Sequence, residues 1–269
     1  MRLMFIFALL IGGMQSWAQQ TPQRPKKTTP TTNLPTNQKP TKNNPKTTST
    51  NTCDWGDCQD GYGKMTYSNG DYVGFWEDGL KEGYGSYYWT ETKGQYIGNW
   101  QKDNMSGYGV YIGENGDNLR GQYRDGVMNG IGVTVRDDKW EQGIFKDGTL
   151  SQKYDYYTNS TTTGCTAGDC ENGYGRYEYS NGDNYIGFFS NGNLKQGTYT
   201  FSSGAKYSGE FNNNNQMSGM GRYWATDSSY YGGFWERGNF HGRGYYDNKA
   251  NDTKQIGVWS NGNLTKSMY

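Results

Sequence analysis

The sequence predicts an all-β protein, an elongated antiparallel ribbon of β-hairpin repeats preceded by a signal peptide and a disordered tether. Three observations lead there: a composition without an aliphatic core, an alternation of glycine with aromatics written twice, and copies of that alternation spaced 22 to 24 residues apart.

Only 32% of the 269 residues are hydrophobic and 41 are glycine, which excludes an ordinary core of Leu, Ile and Val. Polar chains of this kind are often disordered. Here 25 Tyr, 10 Phe and 9 Trp supply the large apolar faces that disordered chains lack, so aromatic packing is expected to hold the body together.

Residues 1–18, MRLMFIFALLIGGMQSWA, have a basic start at Arg2, an apolar run from Leu3 to Ile11 and small residues at Ser16 and Ala18. This is the layout of a secretory signal peptide cleaved after Ala18, and the apolar run is short for a bilayer span, which takes about 20 residues. The expectation is an exported protein, periplasmic or extracellular, with no integral membrane segment once the signal is removed. Residues 19–52 are rich in Thr, Pro, Asn, Gln and Lys and hold all six prolines, as an extended disordered tether would. Six basic and no acidic residues give the tether +6, leaving 19 basic against 26 acidic residues from Cys53 onward, about −7. A body of that sign is not built to hold nucleic acid or anionic lipid by charge.

From Cys53 the repeat begins. A central glycine between two aromatics recurs as Tyr72-Gly74-Trp76, Tyr96-Gly98-Trp100, Leu119-Gly121-Tyr123 and Gly143 with Phe145, then as Tyr185-Gly187-Phe189, Tyr207-Gly209-Phe211, Tyr231-Gly233-Trp235 and Gly257 with Trp259. The three residues of each unit share one parity and so one face of an extended strand. Asp78-Gly79, Asn191-Gly192 and Asn261-Gly262 are hairpin turn signals, followed by a second strand carrying glycines such as Gly83 and Gly85. Glycine weakens a strand unless another group must approach the backbone closely; neighbouring rings are expected to be that group. Eight hairpins in one line, at strand spacings of about 4.8 Å, would make a ribbon of about 77 Å. The division expected is a first block at 53–150, a joint at 151–164 and a second block at 165–269, joined either as one continuous ribbon or as two jointed ones.

Tyr72-Val73-Gly74-Phe75-Trp76-Glu77-Asp78-Gly79 with Glu82-Gly83-Tyr84-Gly85, and Tyr231-Gly232-Gly233-Phe234-Trp235-Glu236-Arg237-Gly238 with His241-Gly242-Arg243-Gly244, resemble the MORN repeat position by position. The leading Tyr is missing at Leu119 and Gln255, and the unit around Glu141 is degenerate. The resemblance implies an elongated, twisted antiparallel ribbon that serves as a binding or assembly module. Lipid binding, also proposed for such repeats, sits poorly with an acidic body.

Cys53 and Cys58 recur 112 positions later as Cys165 and Cys170, the same offset as the repeated stretches, so each block of four units begins with a cysteine-bearing half-unit. Two local disulfides, Cys53 with Cys58 and Cys165 with Cys170, fit an oxidising compartment. The competing reading is one zinc site built from both pairs, at a loose spacing.

No catalytic constellation is visible. His241 precedes a repeat glycine pair without a nucleophile signature, and carboxylates such as Glu77, Asp78, Asp183 and Glu236 recur with the repeat. A membrane β-barrel is disfavoured because glycine and charge fall on both strand parities. The sequence therefore points to a non-enzymatic protein without cofactor or metal. Its expected partner is a protein or peptide bound by the face opposite the repeat core, where Phe75, Phe188 and Phe234 lie; the alternative is a glycan or peptidoglycan stacked on exposed rings.

Overall fold

The computed structural model describes residues 53–136 and 139–269, so the expected signal peptide and tether lie outside the described residues. Strands β1 (Cys53–Gly56), β2 (Tyr62–Tyr67), β3 (Gly70–Glu77), β4 (Leu80–Trp89), β5 (Gln95–Gln101), β6 (Asn104–Ile112), β7 (Asn118–Arg124), β8 (Val127–Arg136), β9 (Lys139–Lys146) and β10 (Thr149–Lys153) form one antiparallel sheet in chain order. A second such sheet holds β11 (Gly164–Gly168), β12 (Tyr174–Glu178), β13 (Asn184–Ser190), β14 (Asn193–Thr200), β15 (Lys206–Phe211), β16 (Met217–Trp224), β17 (Tyr230–Glu236), β18 (Asn239–Asn248), β19 (Thr253–Ser260) and β20 (Asn263–Ser267). Neither sheet closes into a barrel. The units with Leu119, Glu141 and Gln255 form strands like the others.

The repeat glycines stand in a row. In the first sheet Gly56, Gly63, Gly74, Gly85, Gly98, Gly109, Gly121, Gly132 and Gly143 pair each with the next across neighbouring strands. The second sheet repeats this from Gly168 through Gly175, Gly187, Gly197, Gly209, Gly221, Gly233 and Gly244 to Gly257. Over each row lie the leading tyrosines: the Tyr72 ring occupies the space a Cβ would take on Gly74 and Gly85, as Tyr96, Tyr185, Tyr207 and Tyr231 do on their own glycine pairs. Each ring is pinned three residues on, Tyr72 Oη donating to the Phe75 carbonyl (3.0 Å), Tyr96 to Asn99 (3.1 Å), Tyr185 to Phe188 (3.0 Å), Tyr207 to Glu210 (2.9 Å) and Tyr231 to Phe234 (3.0 Å). Burial pushes the Tyr72, Tyr96, Tyr185 and Tyr207 phenols well above their ordinary pKa, so they stay neutral donors.

Substitutes fill the row where the tyrosine is missing. Met128 covers Gly121 and Gly132 beside Leu119, and Leu264 covers Gly257. At the start of each sheet the cover is sulfur: Cys58 over Gly63 and Cys170 over Gly175, with Cys58 bonded to Cys53 and Cys170 to Cys165. Edge-on rings then link the units, as Tyr72 meets Trp100 at 5.3 Å and Tyr207 meets Trp235 at 5.2 Å.

The two glycines of the Gly-x-Gly pair divide the work. Only the second stands in the row. The first, Gly83, Gly107, Gly219 or Gly242, has positive φ (72°, 58°, 65° and 56°) in a bulge that sets two extra residues against the partner strand. On β14 the unit lacks that first glycine, and its bulge has one extra residue, Lys195. The hairpin turns Asp78-Gly79, Asp125-Gly126, Asp147-Gly148, Asn191-Gly192, Arg237-Gly238 and Asn261-Gly262 have both residues at positive φ, the type I′ geometry that matches strand twist.

The eight units do not run in a single 77 Å line. Each sheet, ten strands at about 4.8 Å, extends only about 43 Å across its strands. Both lie in one compact unit and pack face to face through the side opposite the glycine rows. Phe75, Tyr84, Tyr108 and Val110 from the first sheet meet Met220 and Ile256 from the second in one buried cluster. The strand order is reversed across the contact: β4 meets β17 and β18, β6 meets β16, and Arg120 on β7 reaches Thr198 on β14. Tyr108 and Met220 precede equivalent row glycines, Gly109 and Gly221, and both lie in this cluster, so the two blocks are related by an approximate two-fold through the middle of the sandwich.

Candidate binding cleft

The two ends of the sandwich would be alike if the blocks were identical. At the first end they are filled with rings. Tyr84 lies on the backbone of Gly232, where an added Cβ would fall 2.6 Å from Cε1; Tyr230 stacks on Tyr245 at 5.4 Å, and Tyr62 meets Tyr245 at 5.9 Å and Phe75 at 5.0 Å. Counted from the row glycines, the residues equivalent to Tyr84, Gly232, Tyr230 and Tyr245 at the other end are Gln196, Arg120, Asn118 and Val133. Three rings are lost there, and one long cation is gained.

A cavity of about 270 Å³ occupies that end. Val133, Val135, Ile186, Phe188, Tyr174 and Trp140 form its apolar lining, and Asn118, Arg120, Gln196 and Thr198 its polar lining, with Tyr108 alongside. Tyr174 holds Phe188 edge-on at 5.0 Å, while the half-exposed rings of Trp140 and Tyr156 approach Tyr174 at 6.4 Å and 5.6 Å.

The polar side is organised but incomplete. Tyr108 Oη and Ser208 Oγ are 2.8 Å apart, Thr198 Oγ1 donates to Ser208 Oγ at 3.2 Å, and Arg120 Nη1 donates to Thr198 Oγ1 at 3.3 Å. Gln196, only 3% exposed, donates from Nε2 to the Ile131 carbonyl at 3.3 Å. Arg120 Nε and Gln196 Oε1 are buried without a partner. Leaving such atoms unpaired costs about 1–3 kcal/mol each. No carboxylate is among the lining side chains, so the Arg120 charge faces none across the cavity. Burial pushes the Tyr174 phenol up as well, which keeps this wall neutral.

Outside the cleft, the structure separates the residues expected to matter. The repeat core residues lie on the two buried glycine-row faces, with Tyr72, Trp76, Tyr96, Trp100, Tyr123 and Phe145 in one cluster and Tyr185, Phe189, Tyr207, Phe211, Tyr231, Trp235 and Trp259 in the other. Phe75 and Phe188 are not on an open binding face: they are 0% and 2% exposed, Phe75 in the cluster between the sheets and Phe188 against the rings of Tyr154 and Tyr174. Phe234 alone of that set is open, at 42%. Arg120, Gln196, Asn118 and Trp140 were missed. The mismatch of Tyr84 with Gln196 at equivalent glycines was the available signal.

His241, on β18, has Nδ1 3.3 Å from Glu236 Oε2 at the end of β17. Among the described residues no group of three or more His, Cys, Asp or Glu side chains is gathered for a metal, and no helix is long and apolar enough to cross a membrane. The arrangement can bind and orient a ligand; it offers no evident proton-transfer pair.

A family model described as MORN repeat matches residues 59–71, 72–91, 96–118, 120–140, 171–184, 207–230 and 231–251. No curated protein matches the chain.

Proposed function

Because the chain belongs to the MORN repeat family, whose repeats form scaffolds often engaged with proteins or membranes, we propose that it is a non-enzymatic, exported scaffold that binds another protein or a peptide. The observation that carries this is the inter-sheet cleft, where an apolar lining and unpaired polar atoms of Arg120 and Gln196 meet beside the exposed ring of Trp140. Two cysteine pairs at bonding distance and no free cysteine among the described residues suit an oxidising compartment. An acidic body favours a protein ligand over an anionic membrane surface.

Affinity capture from envelope and culture fractions with the tagged chain tests this. A discrete protein retained by the wild type and lost with Trp140→Ala is the expected result. Retention only on insoluble peptidoglycan, competed by soluble sugars, would favour a glycan ligand stacked on Trp140 and Tyr156. Loss of neither with Trp140→Ala would remove the cleft from the function.

A further inference from the structure

The first strands of the two blocks are built alike, but only one has its outer edge covered by a described residue. In the second block residues 157–159 lie along β11: the Gly168 amide donates to the Tyr157 carbonyl at 2.7 Å, the Asn159 amide donates to the Thr166 carbonyl at 2.9 Å, and Thr158 stands opposite Ala167 in antiparallel register. Asn159 Nδ2 adds a bond to the Cys165 carbonyl at 3.0 Å. This segment occupies an edge that would otherwise be open to another strand. Ala167 and Gly168 are buried accordingly.

Strand β1 repeats the design. It has the same bulge, before Trp55 as before Ala167, the same glycine in the left-handed region, Gly56 at φ 78° and Gly168 at 67°, and its own disulfide. Its Asp54 carbonyl and Gly56 amide therefore face outward, as those of Thr166 and Gly168 do. Yet β1 is the first strand of its sheet, no described residue lies across its outer edge, and all four of its residues are exposed, Trp55 at 40%.

We propose that the outer edge of β1 is a docking site for the chain's own residues 45–47, which lie outside the described residues, added as an antiparallel strand in the way that 157–159 cover β11. The Pro45 carbonyl accepts from the Gly56 amide, the Thr47 amide donates to the Asp54 carbonyl, and Lys46 stands opposite Trp55. Three features select that segment. The separation of Lys46 from Trp55 is that of Thr158 from Ala167. Prolines recur at every fifth residue from Pro25 to Pro45 and then stop, which leaves 46–52 as the longest proline-free run between residue 19 and Cys53, with four threonines suited to a strand. Pro45 itself fits, because the equivalent Tyr157 uses its carbonyl in the pairing and a proline lacks only the amide. Charge agrees as well: residues 53–61 carry Asp54, Asp57 and Asp60 without a cation, and Lys46 supplies one where the second block pairs Thr158 beside Thr166. Lys46 also meets the exposed Trp55 ring, a favourable place for an ammonium. The turn into the strand is not copied, since Thr52 stands where Gly164 has φ 78°, so residues 48–52 close the hairpin in another of the forms open to loops of that length. Nothing in this contact involves the cleft.

Amide hydrogen exchange on the full chain tests it, with the Gly168 amide as internal standard. Gly56 should be protected as Gly168 is. Thr47→Pro removes the donor to Asp54 without altering any described residue, and should speed Gly56 exchange at least about tenfold while leaving Gly168 unchanged. Thr36→Pro, outside the paired segment, should change neither. Lys46 and Trp55 should also show an Hα–Hα nuclear Overhauser contact, as Thr158 and Ala167 should, because such antiparallel pairs bring their Cα atoms to about 4.5 Å. Exchange of Gly56 at the rate of an open peptide, or protection that survives Thr47→Pro, would overturn the proposal. So would protection that appears only as protein concentration rises, since a second copy would then occupy the edge.

Discussion

Adding one methyl group at Gly109 should unfold far more of this protein than its size suggests. Gly109 lies in the middle of β6 with an ordinary extended backbone, so alanine meets no conformational penalty there. Its Cβ would fall 2.5 Å from Tyr96 Cε2 and closer still to Cζ and the hydroxyl. Tyr96 cannot swing aside cheaply: it is fully buried, donates to the Asn99 carbonyl at 3.1 Å, and packs edge-on against Trp100 at 5.4 Å and Tyr123 at 5.0 Å. If the strand gives way, overpacking costs about 1–3 kcal/mol. If the ring leaves, the cost approaches that of truncating a buried aromatic, about 3–5 kcal/mol. The expected loss for Gly109→Ala is therefore about 3 kcal/mol, or a melting temperature lower by roughly 6–12 °C in a body of this size.

Urea unfolding followed by tryptophan fluorescence reads this directly, provided the m-value is unchanged. Gly116→Ala is the control. Its φ of +89° makes alanine strained but nothing lies near its Cβ, so a loss of about 1–2 kcal/mol is expected from the backbone alone. The decisive comparison repeats Gly109→Ala in a Tyr96→Leu background, leucine being the residue already present at the equivalent position 119. There the methyl should cost well under 1 kcal/mol, a coupling of roughly 2 kcal/mol between residues that touch. A cost below 1 kcal/mol in the wild type, or strict additivity with Tyr96→Leu, would show that the glycine row does not exist to admit the rings.

Phe75→Ala should cost about 3–5 kcal/mol, since the ring is fully buried between the sheets, whereas Phe234→Ala should fall within about 0.5 kcal/mol of wild type; chemical unfolding of the two variants checks the placement of the faces. Glu210 on β15 is half-buried, and the loss of water around it raises its carboxyl above the ordinary 4.5 despite hydrogen bonds from the Met220 amide and Gln122. Its folded-state pKa exceeds the unfolded one, so ionisation costs stability as pH rises through that window. Glu210→Gln should then be more stable than wild type at pH 7 and lose the advantage by pH 4, measured as melting temperature against pH. Replacing Cys53 and Cys58 together by serine should cost about 2 kcal/mol, the chain-entropy value for so short a loop, with the same loss for Cys165 and Cys170; a much larger loss would mean that the sulfur covering Gly63 or Gly175 matters more than the loop closure.

The hairpins and the glycine rows were legible in the sequence because period-two alternation ties side to position: Tyr72, Gly74 and Trp76 must share a face, and the turn at Asp78-Gly79 sets the register of the strand that follows. Two things were not legible for physical reasons. Gly83 and Gly85 look alike in a one-dimensional pattern, yet one supplies a positive φ and the other an empty space beside the backbone. The contact between the sheets has no period at all: Phe75, Tyr84, Tyr108, Met220 and Ile256 come together only once the chain doubles back, and each alone resembles an outward-facing ring or aliphatic side chain. The cleft followed from that omission. Gln196 and Arg120 become notable only when set against Tyr84 and Gly232 across the two-fold.

The two-fold contact also constrains how such a chain can change over generations. A repeat array whose units touch only their neighbours tolerates the gain or loss of a unit at its end. Here the off-row faces of the inner units are roofed by strands of the other block, read in the opposite direction: β4 by β17 and β18, β6 by β16. A lone extra hairpin after β10 would project past the opposing sheet with its inner side bare, and a lone deletion would strip the roof from its counterpart. The row glycines stop accordingly, with Lys153 opposite Gly143 and Ser267 opposite Gly257 where the next glycine would stand. Insertions and deletions in this architecture must therefore be inherited in pairs, one in each block, so that both blocks keep the same number of units.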